Sequence, residues 1–142
     1  MANESPQPIF FSMALYQSIV AHARSVHPEE CCGLIASDQK GTPVRVIPMT
    51  NTLHSPVRYQ MDPKEQFSVG KSLRLDGLSL WGIYHSHSIS EAYPSVVDVN
   101  LAYYPDLFYL ITSPVTTPPS LRMFQIKDGK ITEVPLIVKE DD

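Results

Sequence analysis

Two histidines and an aspartate with spacing suited to a metal site stand near the middle of this 142-residue chain. The stretch GIYHSHSISEAYPSVVD contains His85, His87, Ser95 and Asp98. Imidazole and carboxylate groups are ligands that zinc accepts, and three protein ligands leave a fourth position for water, which distinguishes catalytic from structural zinc. The stretch therefore predicts a catalytic zinc site formed by His85, His87 and Asp98.

Each part of this pattern also has a purely structural explanation. Ser95 and Asp98 are spaced as in a capping box, where a serine caps a helix and an acidic residue three positions later reaches back to it. Paired histidines at a strand end are often only polar surface. The joint pattern favours the metal site, because the two histidines of a strand project from one face and a helix follows seven residues later.

A zinc hydrolase also needs a general base that is not a metal ligand. The stretch PEECCGLI offers Glu29 and Glu30 immediately before an apolar strand, and Glu91 is a rival in the loop between the proposed ligands. A glutamate at the entrance of a strand is usually a solvated boundary residue, which is the expectation for Glu29. Glu91 is expected to be exposed to solvent.

The elements that must position these residues follow from hydrophobic periodicity and turn residues. A helix capped by Ser12 is predicted to run to about residue 28, a second begins at Pro63, and a third runs from Ser95 to a stop before Pro105. The predicted strands cover residues 8–12, 30–38, 44–51, 58–62, 79–87 and 107–113, and a terminal hairpin covers 121–136. Helices interleaved with hairpin-linked strands predict a mixed sheet with helices packed on it, an α/β or α+β sandwich.

The composition sets limits on location and partners. The chain is 43% hydrophobic and 18% charged, has a net charge of -4, and lacks the basic block of a nucleic-acid-binding protein. No secretory signal and no apolar run of about 20 residues is visible, so no membrane association is expected. Cys31 and Cys32 are adjacent and are expected to pack in a strand, which fits a reducing compartment and predicts a cytoplasmic protein. The sequence does not indicate an oligomeric state.

With these residues identified, the sequence resembles the JAMM (MPN-plus, Mov34/PAD-1-like) zinc metalloproteases. Their signature is a glutamate on an early strand, then His-x-His, seven residues, and Ser-x-x-Asp, with the spacing kept here. The family's local Glu-x-Cys-Gly pattern matches Glu30 and not Glu29. The resemblance extends over residues 9–136, which predicts one domain spanning 1–142 with an ordered core of about 9–136.

The resemblance implies a role for each site residue. His85, His87 and Asp98 would bind one zinc ion, Glu30 would be the general base and acid, and the Ser95 hydroxyl would donate to the oxyanion. The implied fold is an α/β/α sandwich with a mixed β-sheet, similar to the cytidine deaminases.

A detail next to the second histidine indicates a branch of the family. Ser88 stands where the eukaryotic deubiquitinases of the family usually have proline, and the sequence resembles the small bacterial Mec-type enzymes instead. These release cysteine from the C-terminus of a ubiquitin-like sulfur-carrier protein. The resemblance implies hydrolysis of the amide after the C-terminal glycine of a carrier with a Gly-Gly tail, in cysteine biosynthesis. The alternatives are a non-catalytic MPN-type scaffold and a zinc hydrolase of another small peptide or amide.

Overall fold

The computed structural model describes residues 6–141 and contains a six-stranded mixed sheet with helices on both faces. The elements, in chain order, are β1 (Ile9–Ser12), α1 (Met13–Val26), β2 (Cys32–Ser37), β3 (Pro43–Met49), α2 (Pro63–Leu75), β4 (Ser79–Ser86), α3 (Val96–Asn100), β5 (Phe108–Ser113), β6 (Ser120–Lys127), β7 (Lys130–Val134) and β8 (Leu136–Lys139). The strand order of the large sheet is β3-β2-β4-β5-β6-β7. Within the described part of this large sheet, β4 and β5 are the one parallel pair, and α3 lies in the connection between them.

Alternate residues of the central strands face opposite sides of the sheet and form two apolar layers. On one side, Ile35 and Tyr84 pack with Ile19 and Ala23 of α1. On the other side, a second cluster of sheet residues packs with Val69 of α2 and with residues on and just after α3. The predicted α/β/α sandwich with a mixed sheet is therefore confirmed.

Several local predictions are confirmed by the caps and turns. The Ser12 side chain accepts a hydrogen bond from the Leu15 amide, and the helix begins at the next residue, as predicted. Helix α2 begins at Pro63 after the cap Asp62. The terminal hairpin turns at Asp128 and Gly129, whose φ angles of 52° and 77° suit a tight hairpin turn.

Two local predictions were wrong. Residues 58–62 do not form a strand, and an isolated bridge joins Asn51 to Met61. The Asn51 side chain forms hydrogen bonds with the carbonyl of residue 58 and the amide of residue 60, which are then not available for strand pairing. The third helix begins at Val96, directly after its cap Ser95, but it ends at Asn100, since it buries none of its residues and packing cannot extend it.

A parallel pairing of the two ends of the chain was not predicted. Strand β8 pairs with β1 in a separate two-stranded sheet, with Ile9 opposite Leu136. Pro135 separates β8 from the hairpin, and its carbonyl accepts a hydrogen bond from the Ile9 amide. No helix within residues 6–141 has the length and apolar character needed to cross a membrane.

Candidate metal centre

The two histidines lie at the C-terminal end of β4, which is flanked by β2 and β5 in the sheet. His85 is opposite Cys32 of β2 and Ile111 of β5. His87 lies just beyond the strand, and its amide donates to the Thr112 carbonyl at 2.9 Å, which continues the pairing with β5. Both side chains are buried, at 2% and 4% relative exposure. A strand at the centre of the sheet therefore fixes both backbones.

Helix α3 brings Asp98 to the histidines. The Ser95 hydroxyl oxygen accepts a hydrogen bond from the Asp98 amide at 3.1 Å, and Asp98 Oδ2 accepts one from the Ser95 amide at 2.9 Å, so the predicted capping box is present. The same Oδ2 lies 3.2 Å from Nε2 of His85 and 3.0 Å from Nε2 of His87. His85, His87 and Asp98 together form a group that could hold a metal, called the metal-binding group below. The capping box is part of the same arrangement, because it holds the Asp98 carboxylate against the two imidazoles.

The chemistry of these three atoms fits a divalent cation. The Nε2 atoms of His85 and His87 are 3.1 Å apart, so the two nitrogens and Asp98 Oδ2 form a nearly equilateral triangle. Tetrahedral zinc with bonds of about 2.0–2.2 Å holds its ligand atoms roughly 3.3–3.5 Å apart, only slightly further than here. His87 Nδ1 faces the Glu91 carbonyl at 2.8 Å and must donate to it, so Nε2 of the neutral ring has a lone pair facing the carboxylate oxygen. Two acceptors in contact require a cation between them or a further proton.

The close contact between Asp98 and the two histidines also shifts the pKa values of Asp98 and His87. Burial alone would raise the pKa of Asp98, but the hydrogen bonds with His85 and His87 outweigh it and hold the pKa far below its ordinary value. Burial lowers the pKa of His87, but its hydrogen bonds to Asp98 and to the Glu91 carbonyl together raise it above the ordinary value. The carboxylate is therefore ionised at neutral pH, as a metal ligand must be.

Glu30 lies beside this group with a buried side chain, at 4% relative exposure. Its amide donates to the Ser55 carbonyl at 2.8 Å and its carbonyl accepts from the Asn51 side chain at 3.0 Å, which anchors the backbone on both sides. Burial raises the pKa of Glu30 to about 8, the charge of His87 lowers it, and the charge of Asp98 raises it. A carboxyl group with a pKa near neutrality is suited to accept and release a proton.

The other candidate residues lie in different surroundings. The carboxylate of Glu29 is partly exposed and lies 3.2 Å from Nδ1 of His54. The side chain of Glu91 is 81% exposed, and its carboxylate faces Arg122 at 4.0 Å. Ser95 is exposed next to the metal-binding group, and among the described residues its hydroxyl is an acceptor in the cap and donates to none.

Two residues that support the site were not predicted. The Tyr59 ring stacks on the His85 ring, with centroids 4.7 Å apart. Asn51 donates to the carbonyls of Glu30 and Arg58 and accepts from the amides of residues 53 and 60, so its amide group uses both hydrogens and its oxygen twice. It thereby fastens the loop that contains Tyr59 to the residue beside the metal-binding group. No pattern within a single sequence distinguishes this asparagine from an ordinary turn residue.

The fold and the site together define a class of protein: a three-layer α/β/α sandwich in which His-x-His and Asp side chains that could hold a metal converge at the end of a central strand. Residues 12–127 match the family model described as prokaryotic homologs of the JAB domain. The chain belongs to this family, which confirms the resemblance to the JAMM proteins.

Curated relatives support the same assignment. The chain is 43% identical over 130 residues to the CysO-cysteine peptidase of Mycobacterium tuberculosis, covering 89% of this chain and 88% of the relative. It is 37% identical over 103 residues to the desampylase of Haloferax volcanii, covering 68% and 74% of the two chains.

Solved structures agree with the fold. A solution structure of a protein from Desulfitobacterium hafniense superposes with a TM-score of 0.85 at 36% identity and covers 94% of each chain. A JAB1/MPN domain protein from Archaeoglobus fulgidus, at 19% identity, superposes with a TM-score of 0.59 and covers 91% of this chain and 98% of its own.

Proposed function

We propose that this protein is a zinc-dependent metallopeptidase that hydrolyses the amide bond after the C-terminal glycine of a ubiquitin-like sulfur-carrier protein. The observation that carries the proposal is the triangle of His85 Nε2, His87 Nε2 and Asp98 Oδ2 next to the buried carboxyl of Glu30. A set of three convergent ligands beside a carboxyl that is not one of them is the arrangement that metal-assisted hydrolysis requires.

The names of the relatives supply the substrate class. The CysO-cysteine peptidase matches nearly the whole chain, and a desampylase and a probable TtuB-protein conjugate cleaving protease match shorter parts of it. On this basis we propose a carrier with a Gly-Gly tail as the partner and cysteine as the leaving group, which would place the enzyme in cysteine biosynthesis. The adjacent, buried and unbridged Cys31 and Cys32 support a cytoplasmic location.

Each site residue then has a chemical role. Zinc held by His85, His87 and Asp98 would polarise the scissile carbonyl and lower the pKa of the attacking water. Glu30 takes up a proton from the nucleophile and delivers it to the departing amine, and its raised pKa supports both transfers. Ser95, whose hydroxyl oxygen accepts from the Asp98 amide, keeps its hydroxyl hydrogen for the oxyanion.

A groove beside the metal-binding group is suited to the tail of the carrier. It has a volume of about 670 Å³ and lies between α2 and the segment from α3 to Tyr104. Leu34 and Ile83 of the sheet are among the residues that line it, and Tyr59 and Val97 connect it to the ligands, as Tyr59 stacks on His85 and Val97 precedes Asp98. An extended tail ending in glycines can approach the metal closely, because glycine has no side chain to hold the backbone away.

The experiment measures zinc content and turnover with a carrier that bears a cysteine after its Gly-Gly terminus. Glu30→Gln keeps the shape of the side chain, and we expect it to retain zinc and lose about 10²–10⁴ in kcat. Glu29→Gln is the matched control, because Glu29 pairs with His54 outside the site, and we expect nearly unchanged activity.

Asp98→Ala removes both a proposed ligand and the acidic partner of the α3 capping box, so its control is Asp62→Ala, which removes only the cap of α2. We expect Asp98→Ala to lose zinc and turnover, and Asp62→Ala to keep both. Zinc binding without cleavage would mean that the substrate is wrong, and a wild-type protein that binds no zinc would favour the non-catalytic scaffold. An Asp98→Ala variant with full zinc content would refute the ligand assignment.

A further inference from the structure

The loop between His87 and α3 contains a carbonyl that determines which nitrogen of His87 carries hydrogen. Nδ1 of His87 lies 2.8 Å from the Glu91 carbonyl oxygen, which can only accept. Nδ1 is therefore protonated, and Nε2 of the neutral ring is left with the lone pair that faces Asp98. The position of the Glu91 backbone thus selects the form of His87 that can bind a metal.

The second histidine has no such partner. Among the described residues, Nδ1 of His85 is the one buried side-chain nitrogen or oxygen without a hydrogen bond, and stacking on Tyr59 fixes the ring instead. Within the described chain, the hydrogen bond from His87 Nδ1 to the Glu91 carbonyl is consequently the one bond that orients a proposed ligand histidine from outside the metal-binding group.

The Glu91 carbonyl is held by a small cluster on the sheet. The Tyr93 amide donates to the same carbonyl at 2.8 Å, which closes a turn around it. The Tyr93 ring packs edge-on against Phe124 of β6, with centroids 5.4 Å apart. The packing of the ring on the sheet thus restrains the residue whose amide donates to the Glu91 carbonyl.

Arg122 of β6 holds Tyr93 in this position. Its guanidinium carbon lies 5.5 Å from the centre of the Tyr93 ring and 5.4 Å from that of Phe124. Nε and Nη2 donate to the two carboxylate oxygens of Glu133 on β7 at 2.9 and 2.7 Å, which fixes the plane of the guanidinium. The remaining terminal nitrogen faces the Glu91 carboxylate at 4.0 Å, so Arg122 contacts the loop through both a ring and a charge.

We propose that Arg122, fixed by Glu133, is a positioning residue for His87: it holds Tyr93 and the Glu91 carbonyl where they keep hydrogen on Nδ1 and the lone pair on Nε2. The proposal rests on the proposed function in taking His87 as a metal ligand. Outer partners of ligand histidines typically contribute about 10–100-fold to metal affinity. The pair of Arg122 and Glu133 is partly exposed, so its contribution to the stability of the metal-free protein is small.

The test uses Arg122→Met, which keeps the apolar stem, and Arg122→Lys, which keeps the charge without the planar fork. Arg45→Met is the matched control, because Arg45 forms a comparable exposed ion pair with Asp76 at 2.7 Å. Glu133→Gln frees the guanidinium without altering Arg122 itself. Zinc affinity is measured by competition with a chromophoric chelator, and the melting temperature is measured on the metal-free protein. Long-range ¹⁵N–¹H spectra of the metal-free protein report the tautomer of His87 when they are recorded above the raised pKa of His87, where the ring is neutral.

We expect Arg122→Met to weaken zinc binding about 10–100-fold and to mix the two tautomers of His87, with a melting temperature close to that of Arg45→Met. Arg122→Lys and Glu133→Gln should lie between Arg122→Met and the wild type. An unchanged His87 tautomer together with unchanged zinc affinity in Arg122→Met would overturn the proposal. If the wild type binds no zinc, the function proposal fails by itself, and the tautomer of His87 in the variants still decides the role of Arg122.

Discussion

Replacing Gly33 with alanine tests whether the strand that follows Glu30 must pass directly beneath a buried ring. Gly33 of β2 lies opposite Tyr84 of β4, the residue before His85. A Cβ atom at Gly33 would lie 2.2 Å from two carbons of the Tyr84 ring and 2.3 Å from its hydroxyl oxygen. Tyr84 is fully buried, and its hydroxyl lies 2.8 Å from Nδ1 of His22 on α1, so the ring has nowhere to turn without losing that hydrogen bond.

The magnitude follows from the size of this clash. The ring or the strand must retreat by roughly 1.2 Å, the difference between 2.2 Å and ordinary contact at 3.4 Å. Overpacking of this kind costs about 1–3 kcal/mol, and separating the buried Tyr84 hydroxyl from His22 costs about 1–3 kcal/mol more. We therefore expect Gly33→Ala to lower the free energy of unfolding by about 2–6 kcal/mol. At about 3 °C for each kcal/mol, this lowers the melting temperature by about 6–18 °C.

The assay is urea unfolding of the metal-free protein followed by far-UV circular dichroism, so that metal binding does not contribute. Gly70→Ala is the control, because the new Cβ in α2 would meet only Arg74 Nη1 at 3.7 Å, and alanine favours a helix by about 1 kcal/mol over glycine. The two substitutions add the same methyl group and should shift stability in opposite directions. In a Tyr84→Leu background, Gly33→Ala should cost at least about 1.5 kcal/mol less, since the clashing ring is gone.

Equal stability of Gly33→Ala and the wild type would refute the proposed contact between the ring and the strand. An equal loss with and without the Tyr84 ring would show that the backbone of β2, rather than Tyr84, rejects the methyl group.

Two further predictions concern buried polar groups. Asn51→Asp removes both donors to the carbonyls of Glu30 and Arg58 and should lower the free energy of unfolding by about 2–4 kcal/mol. The exposed substitution Asn100→Asp should have little effect in the same urea titration, and equal effects would contradict the role of Asn51. Burial raises the pKa of both the Cys31 and Cys32 thiols from 9.0 to about 12, so neither should react with a disulfide reagent at pH 8 until the protein unfolds. The thiols ionise at lower pH in the unfolded chain than in the folded one, so the free energy of unfolding should fall between pH 9 and 12. Rapid modification of the native protein would contradict the burial of the two thiols.

Much of the candidate metal site could be predicted because it is local in the chain. His85, His87 and Asp98 are separated by a strand end, a short loop and a capped helix start, and each of these leaves a mark in the sequence. Ser12, Pro63 and the turn at Asp128 and Gly129 were predictable for the same reason. The choice of Glu30 over Glu29 needed the family pattern, because both glutamates precede the same strand. One domain for residues 1–142 and the roles of the individual site residues stay predictions.

The sequence by itself thus determined the class of fold, the order of most elements and the three side chains that converge as candidate metal ligands. Only the tertiary structure decided that Asp98 completes the capping box and contacts both imidazoles at once, that Asn51 anchors Glu30, and that Arg122 reaches the loop beside His87. It also decided that residues 58–62 leave the strand conformation and that the two ends of the chain pair. The physical reason is that caps and turns depend on neighbours a few residues away, whereas burial, stacking and pairing depend on residues that meet only after the sheet has formed.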